Sequence, residues 1–182
     1  SITSISGGEG NDNIHATNYK TALLQGDAGD DYLYTSSVQA STLNGGAGSD
    51  QLNASIYNYG TRYTSGSNDR TAAVQSVLDG GEGNDKLNVS GQAYISYGRV
   101  DITANGGAGN DEITVTANSA GTTQLSGNSY GFASVAIDGG DGADKIRVSG
   151  GLQVNISTGA GSDTVELTAQ QYRTILEGSR SI

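Results

Sequence analysis

Apolar side chains are scarce in this chain, but they fall on a strict pattern. Seven short segments each carry a glycine-rich turn, an aliphatic residue at the eighth position and usually a second apolar residue two places later. Leu87 and Val89 follow the turn that starts at Gly80, for example, and Leu78 precedes it. Alternation with period two is typical of a β-strand with one buried face. Each segment therefore predicts a strand, a six-residue turn and a second strand.

The seven segments are copies of one repeat. Their starting points are separated by 19, 19, 35, 26, 33 and 19 residues, which we interpret as a 19-residue unit with insertions of 16, 7 and 14 residues in three intervals. A unit of this size cannot bury its own apolar face, whereas stacked units pair in parallel at about 4.8 Å and form internal ladders. The segments begin at Gly7, Gly26, Gly45, Gly80, Gly106, Gly139 and Thr158.

The repeat predicts an all-β fold, a right-handed parallel β-roll or β-helix solenoid of about seven coils. The turns are expected along one edge and the insertions along the opposite edge. We expect a single domain over residues 1–182, with the repeat core at 5–167 and a C-terminal cap at 168–182. Residues 168–171 match a capping box, and Tyr172, Ile175 and Leu176 follow at helical spacing before Gly178. This pattern predicts a short capping helix.

Composition alone would place the chain among disordered proteins. Leu, Ile, Val and Phe make up 34 of 182 residues, and the formal net charge is −10. The periodicity overrules that reading, because residues that stack in ladders form a continuous core. The acidic balance argues against nucleic acid and anionic membrane surfaces as partners. No apolar run approaches the roughly eighteen residues of a membrane span.

Acidic residues concentrate in the turns. Fifteen of the nineteen lie between the residue before a repeat and its seventh position, and the sixth position is always Asp. Stacking places these carboxylates on one edge, where like charges raise each other's pKa and oppose folding. Oxygen-only ligands of this kind favour Ca²⁺ over Mg²⁺ or a transition metal. The predicted carboxylate ligands are Asp12, Asp31, Asp50, Asp85, Asp111, Asp144 and Asp163.

The motif resembles the RTX, or hemolysin-type, calcium-binding nonapeptide repeat, GGxGxDxUx, in which U is a large aliphatic residue. Thr158 at the first position and Asp27 at the second depart from it. The resemblance implies Ca²⁺ held between successive turns by two aspartates and by backbone carbonyls, with about six ions in six gaps. The motif occurs once per coil here, so only one edge carries the ladder. The implied carbonyl ligands lie around Gly8, Gly10, Gly29, Gly46, Gly48, Gly81, Gly83, Gly107, Gly109, Gly140, Gly142, Gly159 and Gly161.

We expect no enzyme in this chain. It has no cysteine, and its one histidine, His15, is expected to point outward, so neither a catalytic triad nor a zinc site is predicted. The glycine turns lack the following helix and the lysine of a phosphate-binding loop. The chain opens with neither Met nor a signal-peptide pattern. We therefore expect a module of a longer protein. The sequence leaves open the alternative that this longer protein also has a separate catalytic or toxin domain.

The leading hypothesis is a calcium-binding structural module of a secreted bacterial surface or extracellular-matrix protein, such as an adhesin, an S-layer protein or a self-assembling filament. The resemblance implies type I secretion and folding on Ca²⁺ outside the cell. The sequence leaves three further partners open, which are other copies of the chain, neighbouring domains and a glycan. The alternative is a carbohydrate-binding appendage of a polysaccharide-modifying enzyme, based on aromatic residues that equally fit packing across the insertions. These aromatic residues are Tyr57, Tyr59, Tyr63, Tyr94, Tyr97, Tyr130 and Phe132.

Overall fold

The computed structural model describes residues 1–58, 73–93, 98–119, 132–150, 153–168 and 173–177. Within these ranges the chain forms fifteen β-strands and no helix. The strands are β1 (Ile2–Glu9), β2 (Asn13–Thr17), β3 (Thr21–Ala28), β4 (Tyr32–Val38), β5 (Ala40–Ala47), β6 (Gln51–Asn58), β7 (Val74–Glu82), β8 (Lys86–Ala93), β9 (Arg99–Ala108), β10 (Glu112–Ser119), β11 (Phe132–Asp141), β12 (Lys145–Gly150), β13 (Gln153–Ser157), β14 (Thr164–Thr168) and β15 (Arg173–Glu177).

The described strands form two parallel sheets. One contains the odd-numbered strands in the order β1-β3-β5-β7-β9-β11-β13-β15, and the other the even-numbered strands from β2 to β14. Each coil is an odd strand, a glycine turn and an even strand, and the pairing places each repeat position on the same position of the next coil. This architecture confirms the predicted all-β, parallel β-roll.

The core lies between the two sheets and consists of aliphatic ladders. Leu24, Leu43 and Leu78 stack on one sheet, and Leu33 and Leu52 stack on the other, all with no exposed surface. Burying each such side chain contributes about 1.5–3 kcal/mol. A small number of large apolar residues is therefore sufficient, because most of those in the described strands lie at inward positions.

The predicted capping helix is wrong for residues 173–177. This segment is strand β15, and it pairs in parallel with β13, so that Ile175 lies beside Asn155 and Leu176 beside Ile156. Residues 168–171 and 172–178 gave a local helical signal, but β13 presents an unpaired row of backbone donors and acceptors. The backbone hydrogen bonds that β15 makes to this edge outweigh the helix preference of a segment that is barely three turns long. The rest of the predicted helix lies outside the described residues.

The insertions fall between strand ends on the edge opposite the glycine turns, as predicted. They interrupt the connections β6–β7, β8–β9 and β10–β11, which run from an even strand to the next odd strand. Two aromatic residues assigned to insertions belong to strands instead: Tyr57 is in β6, and Phe132 begins β11. Tyr59, Tyr63, Tyr94, Tyr97 and Tyr130 lie outside the described residues. In the described part of the chain, no helix is long and apolar enough to cross a membrane.

We predict that the longest insertion is dispensable for folding. Ser36 and Ala40 are separated by three residues, whereas their partners Ser55 and Gln75 are separated by nineteen. Deleting residues 58–73 restores the three-residue connection. The deletion shortens a loop, whose closure costs only about 0.6 kcal/mol per doubling of length, and it removes the hydrogen bond from Asn58 to the Arg99 carbonyl. The shortened chain should keep its β circular dichroism in saturating Ca²⁺, and loss of cooperative unfolding would place the insertion in the core.

Candidate metal centre

The turns are built on glycines in a left-handed conformation. All thirteen glycines predicted from the sequence as carbonyl ligands have φ between 81° and 145°. A side chain is also sterically excluded, because a Cβ on Gly46 would collide with the Asp27 carbonyl and one on Gly48 with the Gly29 carbonyl. Asp27 adopts φ of 75° at a position where the other turns have glycine, and its carboxylate accepts a hydrogen bond from the Ser6 hydroxyl. A backbone carbonyl of one turn therefore lies directly against the Cα of a glycine in the next turn.

The sixth-position aspartates form a continuous column at this edge. The backbone N–H of each aspartate donates to Oδ1 of the aspartate in the next coil, over six steps of 2.7–3.0 Å from Asp12 to Asp163. The five aspartates between these ends are only 2–3% exposed. The structure thus brings all seven predicted carboxylates into one row, which is buried at its five interior positions.

The second oxygen of these carboxylates has no partner. Among the described residues, Oδ2 is buried and without a hydrogen bond in Asp12 and in each of the five interior aspartates. It lies beside the first-position carbonyl of the next turn: a Cβ on Gly80 would collide with both Asp85 Oδ2 and the Gly106 carbonyl oxygen, and the turns starting at Gly7, Gly26, Gly45, Gly106 and Gly139 repeat this arrangement. Each gap between turns therefore holds an unpaired carboxylate oxygen next to a carbonyl oxygen.

The remaining turn carbonyls differ in how they are used. The third-position carbonyls accept hydrogen bonds of 2.7–2.8 Å from the fourth-position N–H of the preceding turn, as Ala28 does from Gly10 and Asp141 from Gly109. The carbonyl of Gly140, at a second position, accepts from the N–H of Ala160. The first-position carbonyls, which the sequence did not single out, are the ones placed beside Asp Oδ2. Their signal in the sequence is the first-position glycine, whose missing side chain leaves the space open.

A second polar column, at the fifth position, was missed from the sequence. Asn11 Oδ1 accepts from the N–H of Asp30, Asp30 Oδ1 accepts from Ser49, and Asn84 Oδ1 accepts from Asn110, at 2.7–3.0 Å. These bonds run in the opposite direction to those of the aspartate column. They hold the backbone of adjacent turns at a fixed spacing, which is what positions the carboxylates.

Burial raises the pKa of four interior aspartates, and the charges of neighbouring carboxylates add to this effect in three of them. The pKa of Asp85 is raised to about 6, first by burial and then by the charges of Asp111, Asp50 and Asp79. The pKa of Asp144 is likewise raised to about 6 by burial and by neighbouring carboxylates. Burial also raises the pKa of Asp50 and of Asp111. The N–H donors oppose these shifts without cancelling them.

These residues fit a hard cation with oxygen ligands. In the described part of the chain, no three acidic or histidine side chains converge on one point, so an ion in a gap would rely on two aspartates and on backbone carbonyls. Flexible sites of carboxylate and carbonyl oxygens suit Ca²⁺, whereas Mg²⁺ demands near-octahedral geometry. When bound, Ca²⁺ would supply the positive charge that the buried column lacks. The two oxygens of an interior carboxylate face opposite neighbours, so one aspartate can contribute to two gaps.

Comparison with known families agrees with this chemistry. A family model described as an RTX calcium-binding nonapeptide repeat matches residues 4–18, 23–37, 39–55, 76–93 and 103–116. The chain carries RTX calcium-binding repeats in these segments. RTX repeats bind calcium and are typical of secreted proteins. The turns at Gly139 and Thr158 lie outside the matched segments, but they continue the column through the bond from Asp144 to Asp163. No curated protein and no solved structure matches the chain.

We predict that the metal-free RTX chain becomes less stable as pH rises. The folded pKa of Asp85 and Asp144 is about 6, against an ordinary value of 3.8. Between these two pH values the folded chain therefore binds protons more tightly than the unfolded chain does. The free energy of unfolding should therefore fall as pH rises from 5 through about 6 and level off above it. The β circular dichroism of the calcium-free chain between pH 5 and 8 measures this change, because the residual folded fraction should be greatest at pH 5. A folded fraction that increases with pH over that window would contradict it.

We predict that a central aspartate matters more than a terminal one. Asp85→Asn keeps the shape of the side chain and an oxygen that can accept from Asp50, but it removes the charge. The metal-free variant should retain more β circular dichroism than the metal-free parent, because a buried repulsive charge is gone, and calorimetric titration should show the loss of up to two Ca²⁺. Asp12→Asn, with one neighbouring turn, should lose at most one. Equal losses in the two variants would mean that the turns bind ions independently.

Proposed function

We propose that this chain is a calcium-rigidified structural module of a secreted bacterial surface or extracellular-matrix protein, which folds on Ca²⁺ after export. The observation that supports it is the column of buried carboxylate oxygens without partners, one for each gap between turns among the described residues. An unpaired buried carboxylate is costly, and a row of them makes the fold depend on a cation. Folding and ion binding are then a single equilibrium.

The proposal includes about six ions and an extracellular location. Six gaps separate the seven turns, and six Ca²⁺ would bring +12 to a chain of net charge −10. Extracellular calcium modules commonly have dissociation constants of about 10⁻⁴–10⁻³ M, so such a chain stays unfolded where Ca²⁺ is scarce and folds where it is abundant. This behaviour suits type I secretion of an unfolded chain. An adhesin, an S-layer protein and a self-assembling filament are the surface proteins to which such a rigid rod is suited.

The proposal assigns no catalytic role to the chain. The buried carboxylates are taken up by the turn column, and the outer acids Glu112 and Glu166 pair with Arg147 at 2.6 and 3.2 Å. The carbohydrate-binding appendage was inferred from tyrosines in the insertions, and those residues lie outside the described ranges or in strands. The insertions therefore add no support to it.

The central test is calcium-dependent folding. The chain should be largely unfolded in EGTA, gain β circular dichroism with a midpoint of about 0.1–1 mM Ca²⁺, and gain little in equal Mg²⁺. A fully folded spectrum in EGTA would contradict the proposal. A Ca²⁺ midpoint for folding far below the micromolar range would contradict the extracellular assignment.

A matched pair of glycine variants separates ion binding from turn strain. Gly80→Ala is expected to lose one Ca²⁺, because its Cβ collides with Asp85 Oδ2 and the Gly106 carbonyl at a position without positive φ. Gly8→Ala is the control, since its Cβ would meet nothing within 4 Å but its φ is 99°. The control should lower stability and keep the full stoichiometry.

A further inference from the structure

The outer face of the even-numbered sheet carries two rows of uncharged polar side chains. Tyr34, Asn53, Asn88 and Thr114 stand in register on β4, β6, β8 and β10. A second row runs parallel to it and consists of Ser36, Ser55, Ser90 and Thr116. Both rows point away from the core, because they alternate with its buried aliphatic residues. The rows therefore repeat hydrogen-bonding groups along the solenoid axis, one per strand interval of about 4.8 Å.

One end of these rows carries an aromatic cluster. His15 lies between Tyr32 and Tyr34, with its ring centroid 5.4 Å from each and the rings tilted by 36° and 50°. His15 is exposed on β2, as the sequence predicted, and both tyrosines are half-buried. Tyrosine presents a flat apolar ring with a polar tip, which suits a ligand that is apolar on one face and hydroxylated at its rim.

A shallow groove of about 280 Å³ joins the aromatic cluster to the polar rows. Its lining includes Tyr32, Tyr34, Asn53, Asn88 and Thr114. Asn53 Oδ1 accepts a hydrogen bond of 3.0 Å from Asn88 Nδ2, whereas Asn53 Nδ2 is buried and has no partner among the described residues. A buried donor without a partner is unfavourable. The asparagine row therefore carries an unsatisfied amide donor beside the groove.

The groove differs in charge from the rest of this face. None of the residues that line the groove is charged, although the chain carries −10 overall. Charged side chains of the same sheet adjoin the groove, and they pair with one another: Lys86 contacts Glu112 at 3.7 Å, and Arg147, the register neighbour of Thr114, contacts Glu112 at 2.6 Å. A neutral ligand is therefore favoured over an anionic or a cationic one.

We propose that this face binds a neutral oligosaccharide, with one sugar stacked on the cluster of His15, Tyr32 and Tyr34 and the following sugars laid along the asparagine row. A pyranose offers an apolar C–H face to an aromatic ring and hydroxyls to amides and alcohols. Successive sugars of a linear chain advance by about one strand interval, so each can meet one row residue. The face lies on the side of the sheet away from the core and depends on calcium only through the fold.

The test is binding to a panel of neutral polysaccharides by affinity electrophoresis in saturating Ca²⁺, followed by calorimetry with hexasaccharides of those retained. The panel is laminarin, hydroxyethyl cellulose, galactomannan, xyloglucan and dextran, with alginate as the anionic comparator. At least one neutral polymer should retard the protein more than alginate does. Retardation by none of them, or by alginate alone, would overturn the proposal.

Variants locate the binding on this face. Tyr34→Ala and Asn53→Ala should each weaken binding about tenfold or more, and Tyr34→Phe should retain most of it, because it keeps the ring. Tyr19→Ala is the matched control, since Tyr19 is an exposed tyrosine outside the groove. Circular dichroism in Ca²⁺ confirms that each variant is folded. Unchanged binding in Tyr34→Ala, or an equal loss in Tyr19→Ala, would place the sugar elsewhere and refute the assignment.

Discussion

Parallel, in-register stacking is the constraint on which the rest of this structure depends. Once each coil lies about 4.8 Å from the next, every side chain that recurs once per coil meets its own copies. For Leu24, Leu43 and Leu78 this produces a ladder that buries apolar surface. For the sixth-position aspartates the same rule produces a buried row of like charges, with raised pKa values at Asp85 and Asp144. One geometry therefore creates both the core and the need for a cation.

In the turns, the close stacking is accommodated by hydrogen bonds to backbone N–H groups and by glycines. Side-chain oxygens at the fifth and sixth positions accept N–H groups of neighbouring turns, in opposite directions along the stack. Glycine supplies the positive φ and the close carbonyl approach that a Cβ would prevent. What stays unpaired is one carboxylate oxygen per gap beside one carbonyl oxygen. The hydrogen bonds fix the positions of the turns, and the calcium that RTX repeats bind offsets the charge that this arrangement concentrates.

The repeat made most of the fold and the carboxylate column predictable, and the exceptions have local causes. Period-two alternation around each turn fixed the strands, and the invariant sixth-position aspartate marked the column. β15 was mistaken for a helix because the capping-box pattern describes a segment in isolation, whereas the free edge of β13 exists only in the folded stack. The fifth-position column was missed because Asn, Asp and Ser share a role there without sharing an identity. The proximity of Asp Oδ2 to the first-position carbonyls was not predictable from the sequence, because it depends on how two different coils are placed against each other.

The seventh turn departs from the others at its first position and lies at the end of the aspartate column. Thr158 replaces glycine there in the seventh turn, and its carbonyl still faces Gly139 beside Asp144 Oδ2, which completes the sixth gap. Asp163 is only half-buried, as is Asp12 at the other end of the column, because each of them has a neighbouring turn on one side only. The Oδ2 atom of Asp163 is not among the buried unpaired oxygens of the described residues, since no turn follows it there. The column of equivalent gaps thus ends at the seventh turn, while the odd-numbered sheet continues past it through β15.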